Sequence, residues 1–119
     1  MAGKRDTTYA LIESRFPGLL GRARRIFRDN ENAFEGGDNP ESFLWEHTMH
    51  VASIAGQLAR AEGMDPLIPA VAALFHDAGK FAEGEYHSEG TIEEAESARI
   101  AEPLLRESGM RPADMRRVL

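Results

Sequence analysis

The sequence predicts an all-α fold, and three features carry that expectation. Apolar residues recur at helical spacing along the chain, and no stretch alternates with the period of two that a half-buried strand needs. Helix-start signals occur twice in a similar form, as Asn39-Pro40-Glu41 and as Asp65-Pro66. Glycine, asparagine and proline gather into breaks between the periodic segments. Together these predict one compact bundle of about six helices spanning residues 1–119, with a core at 38–110 and N-terminal helices and a loop at 1–37.

The first helix is expected over about 7–15, where Pro17-Gly18 interrupts it, and the second over about 18–28. The stretch "DNENAFEGGDNP" reads as a loop. A third helix begins at Pro40, with Asn39 as its cap, and runs to about Glu62, ended by Gly63. The fourth covers about 66–77. "GKFAEGEYHSEG" is a loop, after which Thr91 and Glu94 form a capping-box pattern for a helix to about 107, with Gly109 beyond it. "RPADMRRVL" opens a last, short helix.

Composition narrows the function classes. There is no cysteine, which excludes disulfides, thiolate metal sites and a cysteine nucleophile, and leaves His, Asp and Glu as the strong metal ligands. The start "MAGKRDTTYA" has no apolar core of a signal peptide, and no run reaches the length of a bilayer span, so a cytoplasmic location with no membrane partner is expected. A net charge of −6 argues against nucleic acid as the main partner. That charge is local, because residues 81–107 hold eight Glu against Arg99 and Arg106. The basic group Arg22, Arg24, Arg25 and Arg28 reads as a solvated helix face rather than an anion site.

The chemistry concentrates in two segments. On a wheel at 100° per residue, Phe43, Leu44, Val51, Ile54 and Leu58 form an apolar arc with His47 near its centre, His50 at its margin and Trp45 elsewhere. His47 is therefore expected to face the core, where both ring nitrogens need partners. The fourth helix, apolar on most sides, ends in His76-Asp77 and then Gly79-Lys80. Two imidazoles and a carboxylate from two packed helices suit a divalent transition metal. Hydrogen-bonded core residues are the plain alternative.

"EHTMHVASIAGQLA" followed by "AALFHDAGKF" resembles the HD superfamily of metal-dependent phosphohydrolases, and "EEAESARIAEPLLRESGM" is similar to the helix that follows that family's motif. The resemblance covers roughly residues 44–110. It implies an all-α core with a metal bound by a histidine, an adjacent His-Asp pair and a later aspartate. By position it assigns metal ligation to His47, His76 and Asp77, and it gives Lys80 contact with a phosphate. His50, as donor to a leaving-group oxygen, and Glu83, as general base or hydrogen-bond acceptor, are the further catalytic candidates. His87 lies in the same acidic loop as Glu83.

The implied cofactor is Mn, Fe, Co, Ni or Zn, with Mg less suited to mixed histidine and carboxylate ligation. The implied partner is a small phosphorylated substrate; the oligomeric state stays open, with a homo-oligomer as one outcome because so short a chain with an unfinished last helix is expected to expose apolar surface. The family's last aspartate has no clear counterpart. Asp114, in the first turn of the last helix, reads more simply as a dipole-favoured acid, so the family's last helices look absent. Two functions follow from this pattern: a phosphohydrolase, or a non-catalytic metal- or nucleotide-binding regulatory domain.

Overall fold

Glycine and proline separate six helices among the described residues. The computed structural model describes residues 3–81 and 91–119. They form α1 (Gly3–Arg15), α2 (Leu19–Glu35), α3 (Phe43–Ala61), α4 (Leu67–Phe75), α5 (Thr91–Glu107) and α6 (Pro112–Val118). All regular structure among the described residues is helical, as the sequence predicts. Gly18, Gly36, Gly63 and Gly109 take positive φ where one helix ends and the chain turns, a conformation that costs other residues strain.

Four boundaries depart from expectation: α1 begins at Gly3 rather than about 7, α4 ends at Phe75 rather than 77, and α2 and α3 differ more instructively. The second helix does not stop at 28 but continues through the Asn-rich stretch to Glu35, where Gly36 at φ 72° closes it. Asn32 does not break the helix because its amide is used outside it. Its Nδ2 donates to Asn39 O at 2.8 Å, and its Oδ1 accepts from Asn39 N at 3.0 Å. The third helix begins three residues later than the Asn39-Pro40 signal implies. Asn39 instead closes a local turn, its Oδ1 accepting from Glu41 N at 3.0 Å. Ser42 is the cap, its Oγ accepting from Trp45 N at 3.0 Å.

A second acceptor completes that helix start, and it comes from another helix. Glu31 of α2 is 6% exposed. Its carboxylate accepts from Ser42 Oγ at 2.7 Å, Leu44 N at 3.0 Å and Phe43 N at 3.2 Å. The unpaired first-turn amides of α3 are thus satisfied by a negative charge at the positive end of the helix.

The core gathers around Phe27 of α2, which meets Trp45 edge-on at a centroid distance of 5.5 Å and Phe75 at 6.5 Å. Ile12, Leu19, Val71, Leu74 and Leu105 complete its fully buried centre. The helix α3 packs most extensively on α4 and next on α1. Its buried face is Leu44, Trp45, Thr48, Ala52, Ser53, Gly56 and Ala59.

This departs from the face the wheel predicts, of which Leu44 is buried and Val51 half-buried. Phe43, Ile54 and Leu58 are exposed and Trp45 is buried. The reason is distance. A Cβ on Gly56 would lie 2.8 Å from Thr8 Oγ1 of α1, so the Thr8 side chain leaves no room there for anything larger than glycine. From Thr48 to Ala59 the inner face is built of small residues, while Leu44 and Trp45 are accommodated at the start of the helix.

Candidate metal and phosphate site

The helix α4 begins with Asp65, whose Oδ1 accepts from Leu67 N at 2.8 Å, and it ends at Phe75, before the His-Asp pair. Residues 76–80 form tight turns, with Ala78 N donating to Phe75 O at 3.1 Å and Lys80 N to Asp77 O at 3.0 Å. Leaving the helix lets two adjacent side chains point to one place. His76 Nδ1 and Asp77 Oδ1 lie 3.1 Å apart. The imidazole is 66% exposed and the carboxylate 15%. That contact orients the ring and leaves Nε2 as its outward nitrogen.

The helix α5 holds this turn in place. Gly79 N donates to Ser97 Oγ at 2.8 Å, and Ser97 Oγ lies 3.4 Å from His76 O. A Cβ at position 79 would fall 2.6 Å from both Glu93 O and Ser97 N. Only glycine permits so close an approach. Lys80 Nζ lies 3.5 Å from Glu93 Oε2, which is itself buried. Lys80, which the family resemblance assigns to phosphate, is thus placed against α5 beside a buried carboxylate.

His47 and His50 are exposed on α3, against the expectation that His47 faces the core. The wheel places them correctly relative to Phe43, Ile54 and Leu58, which face outward, whereas Leu44 of the same arc is buried and Val51 half-buried. Glu83 and His87 lie outside the described residues. Asp114 is 3.2 Å from Arg111 Nε and 4.0 Å from Arg117 Nη1, a local surface network in keeping with its reading as a plain helix acid. Of the basic group on α2, Arg22 donates to Ser108 Oγ at 2.7 Å and Arg28 sits 3.5 Å from Asp29, while Arg24 and Arg25 are exposed.

The donor chemistry suits a divalent transition metal, since two imidazoles and a carboxylate are present. The placement does not. Among the described residues no three His, Asp or Glu side chains converge as a metal-holding group. The structure brings His76 and Asp77 together and does not bring His47 to them as a third ligand. Beside His76 an open groove of about 800 Å³ runs between α4 and α5, lined by Phe75, His76, Glu93, Ser97, Ala101 and Leu119.

Sequence reasoning missed Glu93 and Ser97 as the groups that hold the turn. The available signal was spacing, because Glu93, Ser97, Ile100, Ala101 and Leu104 share one helical face and the first two are polar. It also missed Glu31, which no local pattern marks.

A helical bundle that presents an adjacent His-Asp pair on a glycine-locked turn has the frame of the metal-dependent phosphohydrolase superfamily. The sequence matches the family model of the HD domain over residues 44–117, and the chain belongs to that family. No curated protein and no solved structure matches it. No helix among the described residues is long and apolar enough to cross a membrane.

Proposed function

We propose that the chain is a phosphohydrolase of the HD type acting on a small phosphate ester, such as a nucleotide. The observation that carries this reading is the His76–Asp77 contact at 3.1 Å, on a turn that lies inside the segment matching the family. The site residues have distinct tasks in this reading. Asp77 holds the His76 imidazole in one orientation, and His76 presents its outer nitrogen beside the groove. Ser97 and Gly79 fix the turn, and Lys80, steadied by Glu93, supplies positive charge near it. His47, with His76 and Asp77, belongs to the family's divalent-metal set. His50 and Glu83 are the remaining candidates for proton transfer.

A second reading is favoured by one specific observation. No three donors converge among the described residues, which supports a regulatory HD domain that binds without turnover. Elemental analysis of the purified chain and of a His76→Ala, Asp77→Ala double variant addresses the metal. Hydrolysis of 4-nitrophenyl phosphate and bis(4-nitrophenyl) phosphate by the same samples, with added Mn, Ni or Zn, addresses turnover. The phosphohydrolase reading expects near-stoichiometric metal and turnover in the first protein and neither in the second. Metal without turnover supports the regulatory domain. No metal in either, even after loading, sinks both metal-based readings.

A further inference from the structure

The groove between α4 and α5 is chemically one-sided. Besides His76, the ionisable residues that line it are Glu93 and Glu94, and among the described residues no lysine or arginine does. Further along α5 its wall is Ala98 and Ala101, joined by Val118 and Leu119. The groove thus has an acidic end beside His76 and an apolar remainder. Ser97, the other polar residue of the wall, already serves the Gly79 amide.

Both acids stand in the first turn of α5, where the helix dipole favours a carboxylate and water ordinarily solvates it. Glu93 departs from that pattern. It is 4% exposed, and its Oε2 is buried with no hydrogen-bond partner. Lys80 Nζ, at 3.5 Å, offsets its charge without making that bond. A buried acceptor without a donor is a standing cost that a donor entering from the groove would recover. The arginines of α5 do not supply one, because Arg99 and Arg106 are held by Glu96 and Glu102 along the helix. With Lys80 offsetting one carboxylate, exposed Glu94 leaves this end of the groove net negative.

We propose that this groove binds an organic ammonium, a small ligand whose charged nitrogen enters beside Glu93 and Glu94 and whose apolar body lies along Ala98, Ala101 and Leu119. An ammonium brings three donors and a positive charge, which match an orphaned acceptor and the acid next to it. Low-dielectric walls around Glu93 strengthen that attraction relative to open water. A volume of about 800 Å³ holds a body the size of an aromatic ring. A bare divalent ion fits less well, because among the described residues no three carboxylate or imidazole groups converge. The site goes beyond the phosphohydrolase reading and stands whether or not the chain turns over a phosphate ester.

The test is a nitrogen-15 NMR titration of the whole, metal-free chain with 2-phenylethylamine, 2-phenylethanol and phenylacetate. These probes share a ring and differ in charge. The amine should shift the amides of residues 93–101 to saturation, with an affinity about tenfold or more above that of the alcohol. Phenylacetate should not bind. Glu94→Gln, at an exposed position, should weaken the amine roughly three- to tenfold, leave the alcohol unchanged and keep the helical circular dichroism. Glu93→Gln should weaken the amine as well, and Glu94→Gln keeps the test open should the loss of the Lys80 contact unfold that protein.

Equal affinity for the amine and the alcohol overturns the proposal. So does the absence of a saturable shift at residues 93–101 up to about 50 mM amine, a limit that admits even weak binding. A Glu94→Gln protein that holds the amine as tightly as the unaltered chain also overturns it. Shifts that saturate elsewhere assign the amine to another surface and equally overturn it.

Discussion

The two segments that carry the family's histidines are held in opposite ways. The turn at 76–80 is fixed from several directions: a glycine pressed against the α5 backbone, an amide bonded to Ser97, and a lysine set against buried Glu93. The segment of α3 around His47 and His50 is fixed only from behind, with both imidazoles on an open face. Backbone contact therefore determines where His76 and Asp77 sit. His47 is placed by the position of a whole helix, and what lies in front of it is left open. The difference separates a turn locked by backbone contact from a helix segment held from one side.

The contrast predicts graded effects of substitution. Gly79→Ala should be the most damaging, because its Cβ would meet backbone atoms of α5 at 2.6 Å that cannot give way cheaply. A loss of about 3 kcal/mol is expected, with a fall in Tm on the order of 10 °C or more by thermal unfolding. An unchanged Tm would mean that the turn is not locked on α5.

Glu31→Ala removes the acceptor for one hydroxyl and two amides, and should cost about 2 kcal/mol in urea unfolding. Ser97→Ala should cost about 1 kcal/mol by leaving the Gly79 amide without its partner. It should also reduce any metal retained at His76 and Asp77, which a stability effect confined to α5 would not do. Leu58→Glu should change the stability of dilute protein by no more than about 0.5 kcal/mol, because that side chain lies on the open face. A large loss there would show that the open face of α3 is instead part of the core.

The sequence made the architecture readable because helix signals are local. The six helices, the glycine stops at Gly63 and Gly109, and the family's motif can all be read along the chain. The face of α3 could not be read this way. Hydrophobicity summed around a wheel favours large side chains, whereas a crowded helix contact favours small ones. At Gly56 against Thr8, the second effect wins. The true start of α3 was hidden for a related reason. Asn39-Pro40 has the local form of a helix cap, but the acceptor that decides the matter sits on Glu31, distant in sequence. The His-Asp pair was legible as a motif, whereas its attachment to Ser97 and Glu93 depends on how α5 docks.

The carboxylate of Glu31 also bears on the order in which the chain folds. The amides of Phe43 and Leu44 find their partner on the preceding helix, so the first turn of α3 is incomplete until α2 has docked against it. A peptide of residues 41–61 alone should therefore fray at its start. In the whole protein, those two amides should exchange with solvent only when α2 and α3 separate, which makes the pair a single cooperative unit.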